Sequence, residues 1–205
     1  MMKTELENFD RIHIFNHYHA MTNPFAFVTS RVDVTKLYQL CKRGKSHYAT
    51  IGYYVVKTIN EIDNFKYRYE NGKIYKYDKI DANFTQMFKN KNIGYFRVNM
   101  CDDLNSFLDV FKEREEDFLN SNQSVEENDQ AEVRLSCEPW FHFTGLIPPF
   151  NKEVAIPQII WDQFTFEGDK CYLNFMIMVH HGFADGSHIG MFFHTLEELI
   201  EQIDI

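Results

Sequence analysis

Residues 171–186 read CYLNFMIMVHHGFADG. The first nine of them, Cys171–Val179, are almost all apolar, and a strand of that composition is buried on both of its faces. His180 and His181 follow without a break, and Asp185 comes four residues after His181 in a glycine-containing turn. Because an imidazole is costly to bury without a partner, this placement of polar side chains needs a chemical or a structural reason.

The composition bounds the function classes. A length of 205 residues is typical of one ordinary domain, and we expect a single domain over residues 1–205. Aromatic residues make up 16% of the chain, enough for a core and also for an aromatic-lined pocket or a subunit interface. The formal net charge of −9 argues against nucleic acid and against a polybasic membrane contact as partners.

The sequence carries no sign of targeting or of disulfides. Residues 1–30 lack the layout of a signal peptide, and no apolar run approaches the length of a membrane span. We therefore expect a cytoplasmic protein. The 4 cysteines share no CxxC spacing, so we expect free thiols and no structural metal.

Periodicity predicts a mixed α/β architecture. Apolar residues at helical spacing predict helices at Tyr48–Ile62, Asp103–Asn120 and Ser187–Gln202. The turn Asn71-Gly72 predicts a hairpin of Tyr67–Glu70 with Lys73–Tyr77. Further β structure is predicted at Phe25–Val32, Phe84–Phe88, Ile93–Met100 and the largely apolar Ala155–Phe166, and a surface loop at Ser121–Gln130. Since strands and helices do not alternate strictly, we expect a two-layer α/β sandwich with a large mixed sheet.

Four interpretations compete for the histidines that follow the apolar strand. In the first, they are structural residues whose ring nitrogens have hydrogen-bond partners. In the second, His181, Asp185 and His188 hold a metal, although no HExxH-like pattern accompanies them. A serine-nucleophile triad is the third, but the chain has no GxSxG elbow. In the fourth, a local backbone carbonyl fixes one ring nitrogen of a histidine, and the other nitrogen takes a proton from a substrate hydroxyl. Asp185 would then orient the loop by pairing with a cation elsewhere.

The motif carries a resemblance to a known family. His180-His181-x-x-x-Asp185-Gly186 resembles the HHxxxDG signature of coenzyme A-dependent acyltransferases. Condensation domains of peptide synthetases and plant acyltransferases share it but contain two such folds in one chain. Dihydrolipoyl acyltransferase cores share it too, but normally follow lipoyl segments. The length of this chain favours the chloramphenicol acetyltransferase family.

Three other stretches are similar to the same family. Residues 11–18, RIHIFNHY, resemble its N-terminal segment, and residues 136–140, SCEPW, resemble its SxxPW segment. Residues 64–78, NFKYRYENGKIYKYD, resemble its FR…DGxxxxxD stretch. The similarity therefore runs from about Phe9 to the C-terminus.

The resemblance implies a reaction without a metal, with acetyl-CoA as co-substrate. His181 would take the proton from the acceptor hydroxyl, which then attacks the thioester directly. Ser136 would donate a hydrogen bond to the oxyanion. Asp185 and Arg11 would form a buried structural pair that holds the catalytic loop.

The resemblance also implies a homotrimer whose active sites lie between subunits. One subunit supplies the histidine, and its neighbour supplies much of the acceptor pocket. Tyr48 would lie along the coenzyme A channel. The residues expected to bind the acceptor are Phe15, Tyr18, Phe25, Phe27 and Ile160.

Departures from the family pattern concern the acceptor end. Residues 82–89, ANFTQMFK, lack the proline and histidine of the family's corresponding segment, and Ile160 stands where the family has an active-site threonine. We therefore expect an O-acetyltransferase with chloramphenicol as the first acceptor to test. The alternatives are another small alcohol or xenobiotic as acceptor, or a non-catalytic trimeric binding or metal-binding protein with the same fold.

Overall fold

A large mixed sheet with helices packed on one face dominates the computed structural model, which describes residues 1–121, 123–124 and 129–205. The helices are α1 (Ile12–His19), α2 (Thr35–Cys41), α3 (His47–Glu61), α4 (Leu104–Ser121) and α5 (Gly186–Glu201). The strands are β1 (Lys3–Glu5), β2 (Phe25–Asp33), β3 (Tyr67–Glu70), β4 (Lys73–Tyr77), β5 (Asp81–Met87), β6 (Ile93–Val98), β7 (Glu132–Cys137), β8 (Gln158–Trp161), β9 (Thr165–Glu167) and β10 (Lys170–His180). Within this part of the chain, no helix is both long and apolar enough to cross a membrane.

The strand order confirms the predicted fold class. The larger sheet formed by the described residues has 7 strands in the order β2-β10-β8-β7-β5-β6, and β9 pairs with β10 at one side. Strand β7 runs parallel to β5 and to β8, whereas the other pairings are antiparallel. The protein is thus a two-layer α/β sandwich with a large mixed sheet.

Strand β10 lies inside the sheet and is buried on both faces over its second half. Its last six residues, Phe175–His180, are all buried. The strand pairs with β2 on one side and with β8 on the other. The apolar run Cys171–Val179 predicted this placement. The residues after His180 therefore begin at the end of a rigid strand.

Alternation along the strands separates the two faces of the sheet. Phe175, Ile177 and Val179 of β10 belong to the main core, where the helices pack. Met176 and Met178 point to the opposite face and form a second apolar cluster there. A ligand that binds this second face therefore meets a surface that no helix of the described residues covers.

The predicted hairpin forms the middle of a small second sheet. The turn residues Asn71 and Gly72 adopt φ of 51° and 82°, the left-handed conformation that an Asn-Gly turn requires. The strands β4 and β3 pair in this hairpin, and β1 adds to the free edge of β4. Arg68 of β3 is fully buried and donates to the carbonyls of Gln130 and Glu132, so it ties the small sheet to the start of β7.

The predicted helices, strands and hairpin all form, but some elements of the fold were not predicted. The three predicted helices differ from α3, α4 and α5 by one residue at each end. Strand β5 begins at Asp81, and Ala155–Phe166 contains β8 and the start of β9. Helices α1 and α2 and strands β1 and β7 were not predicted from the sequence. Of the predicted loop Ser121–Gln130, Ser121 ends α4, while residues 122 and 125–128 lie outside the described residues.

Helix α3 approaches the sheet closely because residue 52 is a glycine. A Cβ atom added to Gly52 would lie 2.4 Å from Cζ of Phe84 on β5. Phe84 is fully buried, so its ring has no free space into which to move. Gly190 of α5 is a matched control, since nothing lies within 4 Å of the position of its Cβ.

We expect Gly52→Ala and Gly190→Ala to change stability in opposite directions. Gly52→Ala overpacks the core and should lower the free energy of unfolding by about 1–3 kcal/mol. Gly190→Ala relieves the entropic cost of a helical glycine and should raise it by about 0.5–1 kcal/mol. Urea unfolding of the two variants measures both effects. A stable Gly52→Ala variant would mean that α3 does not sit this close to the sheet.

Candidate active site

His181 lies at the point where the buried strand β10 emerges. Its backbone N–H donates to the carbonyl of Pro24 at 2.8 Å, which continues the pairing with the chain that precedes β2. Its ring is half-buried and stacks on the ring of Tyr18 from α1, with centroids 4.1 Å apart and an interplanar angle of 10°. The imidazole is therefore accessible and fixed in orientation.

The expected hydrogen bond that fixes the histidine ring is not formed. Nδ1 of His181 is buried and has no hydrogen-bond partner among the described residues. The expectation that a local backbone carbonyl holds this nitrogen was wrong for this chain, because the stacked Tyr18 ring fixes the imidazole plane instead. For Nε2 to accept a proton, Nδ1 must carry one.

Arg11 and Asp185 meet as the family resemblance implies. The guanidinium Nη2 of Arg11 donates to Oδ2 of Asp185 at 3.0 Å. The side chains are 21% and 34% exposed, so the pair is only partly buried and not the buried pair that the resemblance implies: Arg11 directly precedes α1, Asp185 directly precedes α5, and both positions lie near the surface. The pair joins the N-terminal segment to the turn after His181.

Asp185 also caps helix α5. Its Oδ1 accepts from the backbone N–H of Ser187 at 3.0 Å and from the Ser187 hydroxyl at 2.7 Å. Nδ1 of His188 lies 2.9 Å from the same oxygen. Hydrogen bonds from Ser187, together with Arg11 and His188, hold the pKa of the Asp185 carboxyl well below its usual value. Asp185 is thus a charged anchor and not a proton carrier.

Two further side-chain contacts hold the turn between His181 and Asp185. Nε of Arg11 lies 3.4 Å from the carbonyl of Gly182, and Nδ2 of Asn64 donates to the carbonyl of Phe183 at 2.7 Å. The contact of Asn64 with this turn was not predicted from the sequence. A polar residue just before the hairpin was the available signal, but nothing in the sequence places it against a turn more than 100 residues away.

Phe15 does not line a pocket beside His181. Its side chain is 2% exposed and stacks on His180 and Phe183, at centroid distances of 4.9 Å in both pairs. Phe15 and Tyr18 are three residues apart on one side of α1, but the Phe15 ring packs inward on His180 whereas the Tyr18 ring reaches His181. Phe15 therefore supports the turn from below, and the expectation that it binds the acceptor is not supported by its position.

Three of the other predicted acceptor residues lie together on the sheet face that no helix of the described residues covers. Phe25 and Ile160 are buried there in one cluster with Met176 and Met178, and Phe27 packs against it. A groove of about 870 Å³ runs along this face and is lined by Ile160, Ser136 and residues of the loop after β7. The apolar residues on this loop that line the groove are Leu146, Ile147, Pro148, Pro149, Phe150, Val154 and Ile156.

One chain does not bring Ser136 and His181 together. Ser136 lies opposite Ile160, and Ile160 lies opposite Met176. His181 follows Met176 by five residues along the same strand. With about 3.3 Å per residue along a strand and about 4.8 Å between strands, the two Cα atoms are roughly 19 Å apart. A hydrogen-bond donor and a base at that separation cannot act on one ester carbon.

Tyr48 has a structural contact where a ligand contact was expected. Its hydroxyl donates to the carbonyl of Thr85 at 2.6 Å and also lies 3.2 Å from the carbonyl of Leu135. Burial raises the pKa of this hydroxyl well above its ordinary value. Since the only proton of the hydroxyl is used by sheet backbone, the geometry gives no support to Tyr48 as a coenzyme A residue.

The structure also bears on the metal interpretation of the histidines. In the ranges 1–121, 123–124 and 129–205, no three His, Cys, Asp or Glu side chains are arranged to hold a metal ion. His188, the third ligand in that interpretation, points Nδ1 at Asp185.

Comparison with known proteins gives consistent results for sequence and fold. The family model of chloramphenicol acetyltransferase matches residues 1–197. A chloramphenicol acetyltransferase from Staphylococcus aureus is 28% identical over 208 residues, covering 98% of this chain and 95% of the relative.

Solved structures share the fold at lower identity. A chloramphenicol acetyltransferase structure aligns with a TM-score of 0.81 and 22% identity, covering 97% of this chain and all of the other. A truncated catalytic core of the 2-oxoacid dehydrogenase multienzyme complex from Thermoplasma acidophilum aligns with a TM-score of 0.73 and 13% identity, covering 98% and 99% of the two chains. With the family model matched over nearly the whole length, the chain belongs to the chloramphenicol acetyltransferase family, a family of acyltransferases.

Proposed function

We propose that this protein transfers the acetyl group of acetyl-CoA to a hydroxyl of a small aromatic acceptor, with chloramphenicol as the substrate, and that His181 is the general base. The observation that carries the proposal is the accessible His181 ring, stacked on Tyr18 at the end of a buried strand and followed by a turn anchored on several sides. Family membership supports acyl transfer as the reaction class.

The chemistry needs one base and no protein nucleophile. Nε2 of His181 takes the proton of the acceptor hydroxyl while the oxygen attacks the thioester carbonyl carbon. The carbonyl π electrons move onto oxygen, and the Ser136 hydroxyl donates a hydrogen bond to that oxyanion. The intermediate then collapses, the carbon–sulfur bond breaks, and the imidazolium returns its proton to the leaving thiolate. The products are the acetyl ester and free coenzyme A.

Each complete site would draw on two copies of the chain. His181 and Ser136 are too far apart within one chain, and the groove that holds Ser136 lies on a sheet face without helices. Trp140 and Ile147, in the loop beside this groove, are 68% and 70% exposed, which favours burial against another copy. We therefore propose a homotrimer in which the His181 end of one subunit faces the Ser136 groove of its neighbour.

The adenine nucleotide end of acetyl-CoA would meet an aromatic cluster at the carboxyl end of β8. Tyr38 contacts His47, Phe164 and Phe166 there, and Phe166 is 57% exposed. The ammonium of Lys42 lies 4.8 Å from the Tyr38 ring centroid. Aromatic faces stack on a base and nearby cations attract phosphates, so this edge suits a nucleotide despite the net negative charge of the chain. Since β7 and β8 are parallel, the cluster and Ser136 lie toward the same end of the sheet.

Replacing His181 should remove the reaction and leave the fold. We expect His181→Ala to lower kcat by about 10²–10⁴-fold, because a positioned base is lost. The assay is thiol release from acetyl-CoA with and without chloramphenicol, and His194→Ala is the control because His194 lies on the exposed face of α5. Unchanged turnover in His181→Ala would contradict the proposal. Loss of activity on adding a chelator would favour a metal at His181, Asp185 and His188 over a general base.

Arg11 and Asp185 should be thermodynamically coupled. Because both side chains are partly exposed, we expect a coupling free energy of about 1 kcal/mol in a double-mutant cycle of Arg11→Ala and Asp185→Asn. The pKa of Asp185 is lowered in the folded protein, so its stabilisation is present at pH 7 and declines as the pH falls below about 4, the ordinary carboxyl pKa. Thermal unfolding at pH 7 and at low pH measures both. Additive single effects at pH 7 would show that the pair does not contribute.

Ile160 should limit the rate with chloramphenicol. Its apolar side chain lies in the groove beside Ser136, where a hydroxyl would hold an additional hydrogen bond. We expect Ile160→Thr to raise kcat/KM for chloramphenicol by up to roughly tenfold, the value of one polar contact. Ile160→Val, which trims the same side chain without adding a hydroxyl, is the control. If neither wild type nor variant acetylates chloramphenicol but both acetylate another small alcohol, the proposed acetyl transfer is retained and chloramphenicol is rejected as the acceptor.

A further inference from the structure

The first histidine of the motif occupies a site that the proposed reaction does not use. His180 is the last residue of β10 and is 2% exposed. Its ring stacks on Phe15 with centroids 4.9 Å apart and meets Phe25 edge-on at 5.6 Å. Phe183 covers a further side at 5.2 Å. An imidazole enclosed by aromatic rings in this way cannot reach a substrate, so its polarity must serve the protein itself.

The hydrogen bonding of His180 defines its protonation. The backbone N–H of Gly182 donates to Nδ1 of His180 at 3.1 Å, so Nδ1 holds a lone pair and the ring proton lies on Nε2. Nε2 is buried without a partner among the described residues. Burial, together with the nearby His19 and His181, lowers the pKa of His180 to about 4, so the ring is neutral at physiological pH.

Nδ1 of His180 accepts a hydrogen bond from the peptide N–H directly after His181. The carbonyl of His180 also accepts from the N–H of Phe183 at 2.9 Å and of Ala184 at 3.1 Å, so one residue holds three successive N–H groups of the turn. The turn cannot relax toward α1, because a Cβ on Gly182 would lie 2.6 Å from Cα of Phe15. Rotation of the Gly182 peptide would therefore turn the His181 backbone with it.

We propose that His180 is a positioning residue: its Nδ1 holds the Gly182 N–H and thereby sets the direction of the His181 side chain. The inference rests on the proposed function, since it assigns His180 to the orientation of the base. His181 has no hydrogen bond on its own Nδ1 among the described residues, so its aim depends on the backbone and on the Tyr18 stack.

The test compares two amide substitutions of His180. In His180→Asn the amide oxygen lies where Nδ1 was and accepts a hydrogen bond from the Gly182 N–H. In His180→Gln the longer side chain places its amide group near the position of Nε2, so the Gly182 N–H has no acceptor. We expect His180→Gln to lower kcat by about 10–10²-fold with KM for acetyl-CoA nearly unchanged, as for a misplaced catalytic group. His180→Asn should stay within about threefold of wild type. His194→Asn and His194→Gln, on the exposed face of α5, are matched controls.

Hydrogen exchange of the Gly182 amide gives a readout that does not depend on activity. We expect slow exchange in wild type and His180→Asn and fast exchange in His180→Gln. If His180→Gln does not fold, His180→Ala replaces it, with the same expectation. Equal kcat in the Asn and Gln variants, or slow Gly182 exchange in the Gln variant, would overturn the proposal. If wild type releases no thiol with any acceptor, the proposed function fails, and the Gly182 exchange rates still decide the role of His180.

Discussion

A strand buried on both faces can present a reactive side chain only if the backbone that follows it is fully satisfied. Strand β10 meets this requirement through contacts from distant parts of the chain. Asn64 and Arg11 donate to the carbonyls of the turn. Asp185 accepts a hydrogen bond from Arg11 and caps α5. Because unpaired buried peptide groups are costly, each of these contacts both stabilises the turn and limits the positions that His181 can take. Stability and the geometry of the base thus depend on the same hydrogen bonds.

The same strand also separates the parts of the site. Ser136 and Ile160 lie level with Met176 in the sheet, five residues before His181 on β10. A sheet cannot fold back on itself over this distance, so a single chain holds a base at one place and an oxyanion donor at another. Symmetric association solves this problem without new elements, because each copy offers both halves to different neighbours. The exposed aromatic and aliphatic residues of the loop after β7 lie where such a contact would bury them.

Local sequence signals predicted the elements that local interactions determine. The Asn71-Gly72 turn and the apolar run before His180 were located correctly because turn chemistry and double burial leave direct marks in the sequence. Helix α1 was missed because it has no side-chain cap and only Phe15 is buried on it. The Arg11–Asp185 contact came from resemblance and was found, but its exposure was misjudged.

Contacts between distant segments set the remaining features of the site. Asn64 reaches Phe183 only because the hairpin packs beside the turn, and Tyr48 bonds to sheet carbonyls only because Gly52 lets α3 approach β5. The free Nδ1 of His181 and the inward position of Phe15 likewise follow from how α1 docks on the turn. Residue spacing within a single segment does not predict contacts of this kind between distant segments.

The central claim is that His181 and Ser136 of one reacting site come from different copies of the chain. Co-expression of His181→Ala and Ser136→Ala chains under different affinity tags, followed by isolation of oligomers that carry both tags, tests it most directly. Each variant alone should be nearly inactive, whereas trimers that carry both tags should recover about a third of the wild-type sites, because one of their three subunit pairs joins an intact histidine to an intact serine. Mixed oligomers no more active than the two variants measured separately would contradict the account.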